Sequence, residues 1–127
     1  MSFKLSEKSL QRLSGVHPDL QAVVKRAIEI TPVDFLVIEG LRTKARQAYL
    51  LDAGKSRTMN SYHLTGHAVD IAPIVDVQVS WAWKHYYPLD DAMMESAKEL
   101  NVKITWGGSW KTFPDGPHFQ IARDTKG

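Results

Sequence analysis

A histidine and an aspartate, separated by a glycine, form the first group of residues that could do chemistry. His63 and Asp70 lie in the segment Ser-Tyr-His-Leu-Thr-Gly-His-Ala-Val-Asp, and the residues Ala68 to Pro73 around the aspartate alternate as a β-strand would. A carboxylate inside an apolar strand needs a partner, because an unpaired buried charge is costly or shifts its pKa. A cation bound by Asp70 would compensate the charge. The alternative is that Asp70 faces solvent from the polar side of a half-exposed strand.

A second segment places Asp115 three residues before His118, which opens a predicted strand. Catalytic zinc typically has three protein ligands of the His, Asp or Glu type and a further position for water, whose pKa it lowers toward about 7. His63, Asp70 and His118 satisfy that number. A nearby carboxylate can then take a proton from the attacking water, and Asp115 is placed for that role. The alternative for Asp115 is a simple Asp-Gly turn.

The composition limits the possible ligands and the class of protein. The chain has no cysteine, so any metal must be held by imidazole and carboxylate groups. With 127 residues, 43% hydrophobic and 24% charged, we expect one soluble globular domain over residues 1–127. A net charge of +2 without a basic run does not favour nucleic acid binding. No stretch has the length of a membrane span, and the N-terminus does not have the pattern of a signal peptide.

The elements that must position these residues follow from hydrophobic periodicity and from capping and turn residues. The order is predicted as helix, helix, strand, helix, a loop over Ala53–Asn60, and then strands around one more helix. We therefore expect an α+β fold with a small, mostly antiparallel sheet flanked by helices. The predicted helices are Ser6–Leu13, Pro18–Ile30, Thr43–Leu51 and Leu89–Leu100, and the predicted strands are Asp34–Gly40, Ala68–Pro73, Lys103–Trp106 and His118–Ile121, with a strand or hairpin arm over Ile74–Trp81.

Together, the two segments resemble a known family: the zinc D,D-carboxypeptidases and L-alanyl-D-glutamate endopeptidases that cut peptidoglycan, including small phage endolysins. Ser61 to Asp70 matches Ser-x-His-x-x-Gly-x-Ala-x-Asp, and Asp115 to His118 matches the distal acid-x-x-His. Gly40 to Thr43 and Trp106 to Trp110 are similar to two further family elements, Gly-x-Arg-Thr and Trp-Gly-Gly-x-Trp. The fold implied is that of the D,D-peptidases and hedgehog domains.

The resemblance also implies a role for each site residue. It implies that His63, Asp70 and His118 bind Zn²⁺, that Asp115 is the general base, and that Arg42 meets a substrate carboxylate through its planar fork. The alternative for Arg42 is a surface salt bridge. Ser61 is similar to the family's serine near the site, and we assign it to substrate binding.

Two further features concern Asp115 and His67. The carboxypeptidase branch generally has Glu as the base, whereas Asp115 followed by Gly-Pro is similar to the phage endopeptidase branch. His67 stands four residues after His63, a spacing that could bind metal on a helix. Gly66 and the following strand argue against a helix, so we interpret His67 as a non-ligand.

The remaining histidines, His17 and His85, are interpreted as surface or packing residues. The same interpretation applies to an aromatic cluster, although this cluster could line a substrate groove: Trp81, Trp83, Tyr86 and Tyr87.

The function expected from this resemblance is zinc-dependent hydrolysis of the L-alanyl-D-glutamate bond in peptidoglycan stem peptides. The chain would be a monomeric phage endolysin that waits in the host cytoplasm, without stable membrane insertion, until a separate pore-former releases it to the wall. Two alternatives stay open: a D,D- or L,D-carboxypeptidase on the same scaffold, and a non-catalytic zinc-containing wall-binding module. An intact Asp115 argues against the second, because a binding site has no use for a base.

Overall fold

A computed structural model describes residues 2–56, 61–112 and 114–122 of the chain. Residues 57–60 of the predicted loop and Phe113 of the second motif lie outside the described residues. The bounds of the helices and strands are α1 Glu7–Leu13, α2 Pro18–Ile30, β1 Phe35–Glu39, α3 Lys44–Asp52, β2 Ala68–Val75, β3 Gln78–Val79, α4 Trp83–Leu100, β4 Ile104–Trp106 and β5 His118–Ile121, with short 3-10 helices at Tyr62–Thr65 and Gly107–Ser109.

The strands form a five-stranded sheet in the order β1-β2-β5-β4, with β3 paired to the far end of β2. All of these pairs are antiparallel. Helices α1, α2 and α4 supply the core together with one face of the sheet, through residues such as Leu20, Met93 and Ile71. The predicted α+β architecture, a small antiparallel sheet flanked by helices, is confirmed.

The predicted helix starts are confirmed where a capping residue marks them. The Ser6 hydroxyl accepts a hydrogen bond from the Ser9 N–H, and the Thr43 hydroxyl accepts one from the Arg46 N–H. Each bond satisfies a backbone donor that has no partner within the first turn of its helix. At α2, Pro18 occupies the first turn, where a missing N–H costs nothing.

Helix α1 covers the β1 edge of the sheet. The Val37 N–H of edge strand β1 donates to the Ser9 hydroxyl at 3.0 Å, and the Val37 carbonyl accepts from Arg12 Nη1 at 2.9 Å. An uncovered edge strand would present these groups to other chains. The two side chains from α1 therefore satisfy both backbone groups of Val37.

A β-bulge in β1 determines to which face of the sheet Glu39, the last residue of the strand, points. Phe35 and Val37 point into the core, so Glu39 would follow them in a regular strand. The register shifts between Val37 and Glu39, however, and Glu39 lies opposite Asp70 of β2. Val69 and Ile71 are core residues, so alternation along β2 turns Asp70 to the other face. The bulge thus brings Glu39 and Asp70 together on the face away from the core.

The prediction that Pro73 ends its strand was wrong, because β2 continues to Val75. Pro73 lies opposite Phe35, and the neighbouring Ile74 N–H donates to the Asp34 carbonyl at 2.8 Å. That pattern makes position 73 a non-hydrogen-bonded one toward β1, where the missing proline N–H is not required. The Ile74–Trp81 segment completes β2 and then turns through positive φ angles into β3, as a hairpin arm.

Helix α4 begins at Trp83, six residues before the predicted start at Leu89. Pro88 lies inside the helix, and proline normally favours a helix boundary there. Packing outweighs that preference, because the turn before Pro88 buries Tyr86, which is 2% exposed. Among the described residues, no helix is both long and apolar enough to cross a bilayer.

Candidate metal centre

His63, Asp70 and His118 come together on the open face of the sheet. Asp70 of β2 is the strand partner of His118 at the start of β5, and His63 arrives from the 3-10 helix Tyr62–Thr65. One potential ligand atom from each lies within 4.8 Å of the other two, so the group could hold a metal ion. Asp70 Oδ1 is 3.3 Å from both His63 Nε2 and His118 Nδ1. The structure therefore brings together the three residues that the sequence proposed as metal ligands.

Hydrogen bonds on the far side of each imidazole fix which nitrogen faces the centre. His63 Nδ1 lies 2.9 Å from the Gly40 carbonyl, which can only accept, so this nitrogen donates. His118 Nε2 lies 2.8 Å from the Gln120 amide oxygen and donates to it. In the neutral form, each ring then directs a lone pair at Asp70. Such outer contacts orient imidazole ligands in metal sites.

Three acceptor atoms therefore face one another at this centre. His63 Nε2 and Asp70 Oδ1 are buried and have no hydrogen-bond partner among the described residues. Burial alone would raise the pKa of Asp70, but contact with His118 and His63 outweighs it and holds the pKa well below its usual range. Burial alone would lower the pKa of His118, but contact with Asp70 raises it. Two buried acceptor atoms without a partner among the described residues, beside a carboxylate held in its charged form, fit a cation.

Asp115 is placed beside the metal-binding group by the loop between β4 and β5. Its N–H donates to the Gly107 carbonyl at 2.9 Å, and its own carbonyl accepts from the His118 N–H at 3.2 Å. Burial and then the charge of Asp70 raise the pKa of Asp115, although His118, His63 and Arg42 act in the opposite direction. The residue thus forms the Asp-Gly turn considered from the sequence and also places its carboxyl group at the cavity.

The Arg42 side chain reaches the same face of the sheet as the metal-binding group, but its N–H donors are already bound to other side chains of the protein. Its guanidinium binds Glu39 through both carboxylate oxygens, at 2.6 and 3.1 Å, and donates to Gln47 Oε1 at 2.8 Å. Asp70 Oδ2 lies 3.7 Å away. The side chain is only 9% exposed, so this ion pair lies within the site and is not a surface salt bridge.

Ser61 and His67 differ in their relation to the centre. Ser61 lines the cavity, and its hydroxyl accepts from the His63 N–H at 3.2 Å, which caps the 3-10 helix. That helix ends at Gly66, whose φ of +77° favours glycine. His67 follows the helix, and its Nδ1 lies 2.7 Å from the Thr65 hydroxyl. It is not part of the metal-binding group found among the described residues, and its interpretation as a non-ligand stays a prediction.

A cavity of about 550 Å³ opens over the centre. Sequence reasoning missed several of its residues, because their roles depend on the β1 bulge and on loop packing: Glu39, Leu50, Lys55, Trp110 and Gln120. The only sequence signal for Gln120 is its alternation with His118 along β5. The aromatic cluster considered as a groove does not contribute to the lining among the described residues. Tyr86 is buried, whereas Trp81, Trp83 and Tyr87 are exposed.

Comparison with known proteins gives consistent matches over nearly the whole chain. A family model described as phage L-alanyl-D-glutamate peptidase matches residues 1–125. The L-alanyl-D-glutamate peptidase of Escherichia phage T5 is 35% identical over 98% of this chain and 93% of its own length.

Solved structures agree with that match. The Serratia marcescens L-Ala D-Glu endopeptidase ChiX superimposes with a TM-score of 0.90 at 44% identity, over 95% of this chain and 91% of its own. The vancomycin-resistance D,D-dipeptidase VanXYg has a TM-score of 0.55 at 14% identity, over 84% of this chain and 50% of its own, and shares the fold. The resemblance inferred from the motifs is confirmed, and the chain belongs to the family of phage L-alanyl-D-glutamate peptidases.

Proposed function

We propose that this chain is a zinc-dependent endopeptidase that hydrolyses the L-alanyl-D-glutamate bond of peptidoglycan stem peptides. The observation that carries the proposal is the convergence of three acceptor atoms, from His63, Asp70 and His118, beside the carboxyl group of Asp115. The names of the relatives support the bond and the polymer: the phage T5 and Serratia proteins are named for L-alanyl-D-glutamate peptidase activity, and CwlK of Bacillus subtilis, 28% identical, is named a peptidoglycan endopeptidase.

Zinc is the cation that best suits this donor set. Two imidazoles and one carboxylate, with no thiolate, form a common ligand set of catalytic zinc sites. Ligand atoms bound at about 2.0–2.1 Å to a tetrahedral zinc lie about 3.4 Å from one another. The separations of 3.3 Å from Asp70 Oδ1 to His63 Nε2 and to His118 Nδ1 are compatible with that arrangement. Zinc held by His63, Asp70 and His118 would supply Lewis-acid polarisation of the scissile carbonyl and would make water more acidic.

Asp115 supplies the proton transfers in this proposal. A carboxyl group whose pKa is raised by burial is a stronger base than an exposed aspartate when it is ionised. It accepts a proton from the attacking water and passes that proton to the nitrogen of the departing D-glutamyl residue. A non-catalytic wall-binding module would have no use for this group, so Asp115 favours the enzyme.

The substrate contacts of Arg42 and Ser61 stay predictions. Arg42 lies at the cavity, where its fork holds Glu39 in place and its charge faces Asp70 across 3.7 Å. The Ser61 hydroxyl group accepts from the N–H of His63 at the start of the 3-10 helix. Ser61 therefore orients His63, a proposed metal ligand, as well as lining the cavity.

Family membership supports a proposal for the biological setting. We propose a phage endolysin that acts as a monomer on the cell wall after release from the host cytoplasm. Its partner is the peptide stem of the wall, with no part for nucleic acid.

The experiment is digestion of purified peptidoglycan by the zinc-loaded protein, with identification of new termini by mass spectrometry. New N-terminal D-glutamate and new C-terminal L-alanine support the proposal. Release of only a terminal D-alanine, or of another terminal residue, would instead assign a carboxypeptidase. Digestion that continues unchanged in a chelator, with no zinc in the protein, would contradict the metal-dependent mechanism.

A further inference from the structure

Two basic side chains line the cavity among the described residues, and they differ in what they can still bind. Arg42 is held by both oxygens of Glu39 and by Gln47, so its donors are largely used within the protein. Lys55 also lines the cavity, is exposed, and forms no ion pair with the residues that the structure describes. The charge of Arg42 is balanced by Glu39, whereas no acidic side chain among residues 2–56, 61–112 and 114–122 forms an ion pair with Lys55.

The backbone of Lys55 is fixed although its side chain is exposed. The Lys55 and Ser56 N–H groups both donate to the Leu50 carbonyl, at 2.9 and 3.1 Å, at the end of α3. The Ser56 hydroxyl accepts from Gln47 Nε2 at 2.7 Å, and Gln47 is also the residue that binds Arg42. The loop that carries Lys55 is therefore tied to the same network that orients the inner wall of the cavity.

The topology places Lys55 on one particular side of the metal-binding group. Glu39 pairs with Asp70, and Asp70 pairs with His118, in a line across β1, β2 and β5. Asp115 lies beyond this line, in the loop that joins β4 to β5. Lys55 follows α3, whose network includes Arg42 and Glu39 at the β1 side. Lys55 therefore lines the cavity from the side of α3 and Glu39, whereas Asp115 lines it from the loop between β4 and β5.

We infer that Lys55 is a specificity-determining residue that binds the free α-carboxylate of the D-glutamyl residue on the departing side of the scissile bond. The inference rests on the proposed function. In a stem where D-glutamate continues through its side-chain carboxyl, the α-carboxylate stays free and lies next to the scissile nitrogen. It would enter a cavity that already holds Glu39, Asp70 and Asp115, so recognition requires a positive charge not already paired. A lysine ammonium, with three rotatable donors, meets that requirement.

The experiment compares two synthetic substrates with the zinc-loaded protein. One is N-acetyl-L-alanyl-γ-D-glutamyl-L-lysine with a free α-carboxylate, and the other has that carboxylate converted to the primary amide. Lys55→Met removes the charge and keeps an unbranched side chain. We expect kcat/KM on the acidic peptide to fall about three- to tenfold, the size of a partly exposed charged contact, with little change on the amide. Lys55→Arg should restore most of the loss.

Lys44→Met is the matched control, because Lys44 is exposed on α3 and lies outside the cavity lining. It should leave both substrates unaffected. Equal losses on the acid and the amide in Lys55→Met, or no loss on the acid, would overturn the inference while leaving the proposed function intact. If the parent protein cleaves neither peptide at the alanyl-glutamyl bond, the proposed function fails and the inference fails with it.

Discussion

The indole Nε1–H of Trp106 donates a buried hydrogen bond of 2.7 Å to the carbonyl oxygen of Gly116. Gly116 joins Asp115 to the turn that ends at His118, so this bond fixes the loop carrying both the proposed base and one metal ligand. On its other side, Gly116 lies against the ring of Tyr86, where an added Cβ would come within 3.3 Å of the ring. The loop is therefore held between two aromatic side chains.

Replacing Trp106 by phenylalanine should lower both stability and turnover. The substitution keeps an aromatic ring but leaves the Gly116 carbonyl buried without its donor, which costs about 1–3 kcal/mol. Asp115 would lose part of its support, so we expect kcat to fall more than KM rises while bound zinc is retained. Urea denaturation and steady-state kinetics measure the two effects. Trp81→Phe is the control, since Trp81 is 65% exposed. Equal stability of the two variants would show that the bond contributes little.

Substitution of individual histidines should distinguish the proposed metal ligands, His63 and His118, from the neighbouring His67. His63→Ala and His118→Ala each remove one of the three converging acceptor atoms, so both variants should lose bound zinc as well as activity. His67→Ala should keep its zinc, because the His67 ring is directed to Thr65. Metal analysis of the purified proteins, with circular dichroism to check folding, measures this directly. Loss of zinc from His67→Ala with retention in His118→Ala would refute the ligand assignment.

Substitution of Asp115 by asparagine should distinguish a role as general base from a structural role in the turn. Asparagine keeps the size and turn-forming ability of aspartate but cannot accept the proton. General-base catalysis is typically worth about 10²–10⁴ in rate, so turnover should fall by roughly that factor while zinc content and fold stay unchanged. Single-turnover kinetics on a stem peptide is the suitable measurement. Turnover within a few-fold of the parent would assign Asp115 to the turn alone and require another base.

The residues of the metal centre could be predicted from the sequence more completely than the groups that surround them. His63, Asp70, Asp115 and His118 could be identified because fixed residue types at fixed spacing are visible in one dimension, and Ser6 and Thr43 could be identified as caps for the same reason. The partners of the imidazoles could not be found this way. A backbone carbonyl such as that of Gly40 carries no residue-type signal, so its hydrogen bond to His63 follows only from the folded chain.

The elements that were misjudged share one physical cause, which is tertiary context. Pro73 normally ends a strand, but here it occupies a position that needs no N–H toward β1. Pro88 normally marks a helix boundary, yet burial of Tyr86 extends α4 past it. Glu39 was not identified as a site residue from the sequence, because only the bulge moves it to the site. Local preference was outweighed by packing in each case.

Asp90 of α4 makes stability depend on pH, away from the metal centre. Its Oδ1 is buried and has no hydrogen-bond partner among the described residues. Burial, and then the charge of Asp91, raise the pKa of Asp90 to about 6. An unfolded aspartate titrates near about 3.9, so the folded state binds this proton more tightly. The stabilisation is therefore complete below pH 4, is lost as the pH rises toward 6, and is absent above that value.

Substitution of Asp90 by asparagine should therefore stabilise the protein at pH 8 and have little effect at pH 4. A pKa difference of this size corresponds to about 3 kcal/mol for a fully buried group, and screening of the partly exposed Asp90 reduces the expected gain to about 1 kcal/mol. Urea denaturation at the two pH values measures it. Glu95→Gln, an exposed position on the same helix, should change the free energy of unfolding by less than about 0.5 kcal/mol at either pH. A gain for Asp90→Asn that is the same at pH 4 and pH 8 would show that side-chain packing, rather than the buried charge, is responsible.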